Sequence, residues 1–197
     1  NVAWFSLEEV YAVVAAFYLI EDTLVKANGK PRMGNLFCLR SRDAEGIFDI
    51  LIDRATKNSH LQIDQNLRYG ALNLNALGKF GSLEFRFMKA MTDTKLLKLW
   101  TENLFNFVHK AKSLANVREV IFQYKRSKNL EDFYRLFFDE EFVRMLRPHI
   151  TPDSDILPYL ILLDKTLKKV DRPKKVRYNF RLQEDIDIDA IRDFDVP

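Results

Sequence analysis

Hydrophobic residues recur with the spacing of an α-helix through most of this chain, and strict alternation is clearest in one short stretch. Residues 82–87 alternate polar and apolar side chains, which is typical of a β-strand. Leu83, Phe85 and Phe87 then share one face of the strand, and Ser82, Glu84 and Arg86 share the other. We therefore expect a predominantly helical α+β protein with a few antiparallel strands.

The first helix has clear signals at both ends. Ser6 and Glu9 have the spacing of a capping box, which predicts that the helix begins after Ser6. Asn28 and Gly29 are typical of a helix end. The first five residues resemble the end of a strand.

Later segments also have helical patterns, separated by short breaks. Thr92 is the predicted N-cap of a long helix that ends near Ala115. Residues 78–81 have the composition of a turn. Other helical patterns cover residues 42–56, 117–126, 130–147 and 154–169.

Composition excludes several classes of protein. Of the 197 residues, 47% are hydrophobic and 30% are charged, which is typical of a globular protein. The net charge of +3 argues against a dedicated nucleic-acid-binding protein. The sequence has no apolar run long enough to span a membrane and no signal peptide, and its single cysteine excludes an internal disulfide. A reducing, cytoplasmic location is the expectation.

Two later segments are candidates for contact with other proteins. Residues 130–142 hold more apolar side chains than one helix face needs, so they belong either to the core or to an interface. Residues 171–197 are predicted to form an extended charged tail. The prediction rests on two blocks of opposite charge: residues 165–181 contain eight Lys and Arg, and residues 184–195 contain six acidic residues. The tail is either a solvated segment or an arm that docks on a partner.

The polar face of the 82–87 strand has the residues that phosphoryl chemistry needs. The carboxylate of Glu84 can ligate a divalent metal, and the planar guanidinium of Arg86 can hold a phosphate. Both side chains project from the same face because they are two residues apart. The alternative is an ion pair on the solvent-facing side of an antiparallel strand.

The surrounding sequence resembles a family of enzymes. Residues 68–88, RYGALNLNALGKFGSLEFRFM, resemble the amidoligase family of phage and bacterial genomes, with Ser82 where that family usually has Thr. Residues 30–40 are also similar to the family, because Arg32 precedes the aromatic–cysteine pair Phe37 and Cys38. The resemblance covers residues 1–115. Residues 116–170 are interpreted as a helical extension.

The resemblance implies a fold, a reaction and a set of site residues. Members have a glutamine-synthetase-like carboxylate–amine ligase fold, of which residues 1–115 would be the C-terminal half. They use ATP and Mg²⁺ to join the carboxylate of an amino acid or peptide to an amine. Glu84 would be a magnesium ligand and, with Arg86, catalytic. Nucleotide and phosphate contacts would come from Arg86, Arg68, Asn73 and Arg32, with the substrate carboxylate as the alternative partner of Arg32.

One departure from the family leaves two functions open. The Glu-x-Glu and His-x-His strands of the family's upstream half are absent from this sequence, so we expect that half to lie before Asn1. With that half, the protein would be a phage-encoded ligase that acts in the host cytoplasm. Alternatively, it is a non-catalytic structural or interaction protein, such as a virion component, that retains the fold. Cys38 is expected to be a buried thiol rather than a nucleophile.

Overall fold

The computed structural model describes residues 1–33, 35–40 and 68–150. The predicted helices at 42–56 and 154–169 and the charged tail at 171–197 lie outside these ranges. The longer helices and the two strands are α1 (Leu7–Ala27), β1 (Leu72–Asn73), α2 (Asn75–Phe80), β2 (Glu84–Phe85), α3 (Thr94–Ser113), α4 (Val117–Arg126), α5 (Leu130–Arg135) and α6 (Glu140–Leu146). Short 3₁₀ helices span Lys30–Arg32 and Arg147–His149. The described part of the chain is therefore mostly helical, with a small antiparallel sheet, as the α+β prediction stated.

Helix α1 begins and ends where the sequence predicted and lies at the centre of the fold. The Ser6 hydroxyl accepts a hydrogen bond from the Glu9 backbone N–H at 3.2 Å, and the Glu9 carboxylate accepts one from the Ser6 N–H at 2.6 Å. At the other end, the Asn28 side chain donates to the Leu24 carbonyl at 2.9 Å. Every residue from 12 to 25 is buried, and α1 packs against both α3 and α4. A helix that is buried on all sides is a core helix.

The aromatic residues of 130–142 pack inside the chain. Phe133, Phe137, Phe138 and Phe142 are each at most 2% exposed, and Phe107 of α3 is fully buried among them. The structure therefore shows the core alternative for these rings. A partner contact through 130–142 stays a prediction, but these four rings are not available to make it.

Two helix boundaries differ from the prediction. The N-cap of α3 is Asp93 rather than Thr92, because the Asp93 carboxylate accepts from the Lys95 and Leu96 N–H groups at 2.9 and 3.2 Å. The negative charge also stabilises the positive end of the helix dipole.

The predicted helix at 130–147 is interrupted, giving α5 and α6 instead. Asp139 caps α6 by accepting from the Phe142 N–H at 2.9 Å. The Asn103 side chain of α3 donates to Asp139 at 2.9 Å and accepts from its backbone N–H at 3.0 Å. A single continuous helix would lose both of these tertiary hydrogen bonds.

The alternating segment forms a shorter strand than expected. β2 pairs antiparallel with β1, with Leu72 opposite Phe85 and Asn73 opposite Glu84. The segment predicted as a turn, 78–81, is largely the end of α2, and Gly81 terminates that helix in the left-handed conformation, at φ 58°. Residues 1–5 form a turn rather than a strand, and the Val2 N–H donates to the Gly81 carbonyl at 2.7 Å.

None of the helices in the described ranges is both long enough and apolar enough to cross a membrane.

Candidate functional site

Three backbone segments lie side by side and create the surface on which the predicted site residues meet. Leu39 forms a parallel bridge with Gly70, in which the Leu39 N–H donates to Tyr69 at 2.9 Å and the Leu39 carbonyl accepts from Ala71 at 2.7 Å. On the other side, the Ala71 carbonyl accepts from the Arg86 N–H at 2.8 Å. Segments 38–40, 69–73 and 84–86 are therefore neighbours, although the first and last are more than forty residues apart in sequence.

The alternation predicted for 82–87 is clearest at its extremes, Glu84 and Phe87, whereas Ser82, Leu83, Phe85 and Arg86 are all half-buried. Phe87 is fully buried, and the Phe85 ring lies 5.7 Å from that of Phe17 on α1. Glu84, on the opposite face, keeps 51% of its side chain exposed. The apolar face thus anchors the strand on α1, and the polar face is left accessible to solvent.

Glu84, Asn73 and Arg86 are in direct contact on that polar face. The Asn73 amide donates to one carboxylate oxygen of Glu84, and the Arg86 Nε lies 3.6 Å from the other. Asn73 is buried, and its side-chain oxygen also accepts from the Asn75 N–H at 2.9 Å. The amide is therefore held from two sides and fixes the position of the Glu84 carboxylate.

Arg68 contributes to the site mainly through its backbone. Its carbonyl accepts a hydrogen bond from the Arg86 guanidinium, which orients Arg86 along the face. The Arg68 guanidinium lies over the Tyr69 ring at 4.6 Å from the centroid and also donates to the Tyr69 hydroxyl. The Arg68 side chain is thus stacked on its neighbour rather than paired with Glu84.

Cys38 is a buried residue that comes directly before the bridge at Leu39. The thiol is 1% exposed, and burial raises its pKa to about 11. The positive charges of Arg32, Arg86 and Arg40 lower this pKa, whereas the negative charge of Glu21 raises it. A protonated thiol in this setting is a poor nucleophile, as the sequence predicted for Cys38.

A buried charged cluster next to segment 38–40 was not predicted from the sequence. Asp22 of α1 is buried and forms ion pairs with Arg40 and, at 2.5 Å, with Lys26. Consecutive polar residues at 21–23 interrupt the long apolar run of α1 and were the available signal. Buried charges are normally paired, so these residues predicted a polar contact at this level of the helix.

Carboxylates are sparse on this face. Among residues 1–33, 35–40 and 68–150, no group of three or more His, Cys, Asp or Glu side chains could hold a metal ion. A metal held by protein ligands alone is therefore not built from the described residues. Mg²⁺ usually retains several waters and binds through one or two carboxylates together with substrate phosphates, and Glu84 fits that more limited role.

Comparison with protein-family models, with curated proteins and with solved structures found no match to this chain.

Proposed function

We propose that this protein is an ATP-dependent carboxylate–amine ligase of the amidoligase type, with a glutamine-synthetase-like fold of which residues 1–115 form the C-terminal half. The observation that carries the proposal is the contact set of Glu84 with Asn73 and Arg86 on an accessible sheet face. All three residues belong to the segment 68–88 that resembles the family.

The arrangement suits a reaction in which negative charge develops on phosphate oxygens. Arg86 supplies a fixed guanidinium, because its side chain is already bound to the Arg68 carbonyl. Arg32 makes no ion pair with any other residue in the described ranges, and its positive charge lowers the pKa of Cys38. Fixed positive charges that require no reorganisation are an efficient way to stabilise such a transition state.

The proposed reaction has two steps. A carboxylate oxygen of the substrate attacks the γ-phosphorus of ATP, forming an acyl-phosphate and releasing ADP. The amine then attacks the acyl carbon, the C–O bond to phosphate breaks, and the amine loses a proton to give the amide and inorganic phosphate. Mg²⁺, held in part by Glu84, would neutralise phosphate charge when bound. The residues of this chain orient the phosphates through Arg86 and hold the Glu84 carboxylate through Asn73.

The test is ATP-dependent phosphate release by the full-length gene product, with Mg²⁺ and a panel of amino acids and peptides. We expect turnover that requires both a carboxylate and an amine. Glu84→Gln should reduce turnover at least about 100-fold, since removal of one preorganised electrostatic group commonly has an effect of this size. Circular dichroism should show an unchanged fold, because the Glu84 side chain is half exposed.

Glu102→Gln is the matched control. Glu102 is another exposed glutamate, 59% accessible and 3.7 Å from its cation Lys98, but it lies on α3. Its substitution should leave turnover unchanged. Equal turnover by wild type and Glu84→Gln would refute the role of Glu84. A folded full-length protein that neither binds Mg-ATP nor releases phosphate would favour the alternative, a structural or interaction protein that retains the fold.

A further inference from the structure

An exposed apolar surface borders the candidate site. Met33, Leu36 and Phe37 are 41%, 72% and 60% exposed, and all three lie within five positions of the chain. Isolated exposed apolar side chains are common on protein surfaces, but a cluster of them beside a polar site is characteristic of a ligand-binding region. We call these three residues, together with the ring of Tyr69, the apolar shelf.

The shelf is held in place rather than carried on an unsupported loop. The Phe37 and Tyr69 rings are in contact, with centroids 5.9 Å apart. Asn35 supports the backbone: its side-chain oxygen accepts from the Phe37 N–H at 2.9 Å, and its carbonyl accepts from the Cys38 N–H at 2.9 Å. A preorganised surface loses little conformational entropy when it binds a ligand.

The shelf and the polar face belong to one continuous surface. Phe37 and Cys38 precede the bridge at Leu39, which lies beside segment 69–71, and Arg86 lies beside Ala71 on the far side. Neighbouring strands are about 4.8 Å apart, so the shelf lies roughly 10 Å from the Glu84 and Arg86 segment. An amino acid with a large side chain, or a dipeptide, can span that distance, because an extended residue covers about 3.5 Å.

The positive charge of Arg32, next to the shelf, indicates that the ligand carries a carboxylate as well as an apolar group. Arg32 immediately precedes Met33, and the Asn35 side chain that accepts from the Phe37 N–H also donates to the Pro31 carbonyl at 3.2 Å. Arg32 makes no ion pair with the other residues that the structure describes. A guanidinium next to an apolar surface is complementary to a ligand that carries a carboxylate and an apolar group close together. The shelf combines the aliphatic side chains of Met33 and Leu36 with the rings of Phe37 and Tyr69, so it can contact an aliphatic or an aromatic side chain of a ligand.

We infer that the apolar shelf holds the side chain of the carboxylate substrate while Arg32 binds its carboxylate. The substrate class is then amino acids or short peptides with a large apolar or aromatic side chain next to the reacting carboxylate. This inference rests on the proposed ligase function, since it assigns the substrate of that same site.

The experiment measures binding of two probes to the full-length protein by isothermal titration calorimetry, in the absence of ATP. N-acetyl-L-phenylalanine carries the side chain, and N-acetylglycine lacks it. We expect N-acetyl-L-phenylalanine to bind at least about tenfold more tightly, because it buries an aromatic ring. Phe37→Ala should remove most of that preference, and Arg32→Gln should weaken both probes by a similar factor.

Two further variants separate a role of the shelf from an effect on folding and from a general effect of removing an exposed ring. Leu36→Ala alters a side chain that is 72% exposed, so it tests the shelf without risk to folding. Phe122→Ala removes a ring of α4 that is 51% exposed and lies outside the shelf, so it should leave the affinity for both probes unchanged.

Several outcomes would overturn the inference. These are equal affinity for the two probes, no binding of either probe to the wild type, or an unchanged preference in both shelf variants. A loss of Mg-ATP affinity in Phe37→Ala, with probe binding intact, would assign the shelf to the nucleotide. If the shelf variants differ from the wild type in oligomeric state on size-exclusion chromatography, the shelf would be assigned to an interface between copies of the chain. Selective probe binding without phosphate release in any assay would refute the ligase proposal but leave a site for apolar carboxylates.

Discussion

The aromatic core and the polar sheet face are built by opposite means. The core surrounds Phe107, which is fully buried and lies 5.4 Å from Phe137, 5.8 Å from Phe138 and 6.4 Å from Phe17. The polar face has few contacts, each of which is directional, such as the Asn73 amide on the Glu84 carboxylate. Each ring in the core contacts several other rings, whereas each polar group on the sheet face depends on one particular hydrogen-bond or ion-pair partner.

This difference separates the residues that keep the chain folded from those that the proposed function requires. Buried aromatic rings contribute through the area they remove from water and through ring–ring contacts worth about 0.5–1.5 kcal/mol each. Exposed ion pairs contribute about 0–1 kcal/mol. We therefore expect large changes in the free energy of unfolding from substitutions in the core, and small changes from substitutions on the polar face.

The largest expected effect follows from removing the central ring. Phe107→Ala should lower the free energy of unfolding by about 3–5 kcal/mol, since it deletes a fully buried ring and leaves a cavity. Urea denaturation followed by circular dichroism measures the change. Phe105→Ala is the matched control on the same helix, because Phe105 is 63% exposed, and it should change stability by no more than about 0.5 kcal/mol. Similar losses in the two variants would contradict the assignment of Phe107 to the centre of the core.

Periodicity predicted the core well because the information is local. The capping box at Ser6 and Glu9 and the helix at 117–126 depend on residues within one or two turns, and both are confirmed. The division of 130–147 into two helices was not predictable in the same way. It depends on Asn103, which is 36 residues away from Asp139 in sequence.

The candidate site was predictable only in part. Alternation in 82–87 correctly placed Glu84 and Arg86 on one face, and Asn73, which only the family resemblance had singled out, contacts Glu84 there. The stacking of Arg68 on Tyr69 and the pairing of Asp22 with Arg40 were not predictable from spacing. The Asp22–Arg40 pair and the bridge between Leu39 and Gly70 both join residues that are far apart in the chain, so neither has a local signal in the sequence.

A substitution at Asn73, a buried residue on the polar face, is expected to have an intermediate effect on the free energy of unfolding. Asn73→Ala removes the acceptor of the Asn75 N–H and the donor to Glu84. We expect a loss of about 1–2 kcal/mol in the free energy of unfolding, the usual cost of leaving a partly buried polar group unsatisfied. The exposed Glu84 carboxylate can be solvated by water and adds little. A loss as large as that of Phe107→Ala, measured in the same urea titration, would mean that the polar face is part of the stability core.

The smallest expected effect concerns Cys38, which lies at the boundary between the two regions. Its pKa of about 11 in the folded protein is raised above its ordinary value of 9.0 mainly by burial. The two-unit difference implies about 100-fold less thiolate in the folded chain than in the unfolded chain at pH 8. Because it is the one cysteine in the sequence, alkylation by iodoacetamide can be followed by intact mass, and it should be slow at pH 8 and fast in 8 M urea.

The same pKa shift predicts how stability depends on pH. The unfolded chain loses the thiol proton near pH 9, whereas the folded chain keeps it until about pH 11. The contribution of the thiol to stability is therefore fully present below pH 9 and decreases as the pH rises toward 11. Cys38→Ala should lack this decrease, and the difference between the two chains isolates Cys38 from lysines and tyrosines that titrate in the same range. Rapid alkylation at pH 8 without urea would instead mean that the thiol is ionised by Arg32, Arg40 and Arg86, and that the base of the polar face is open to water.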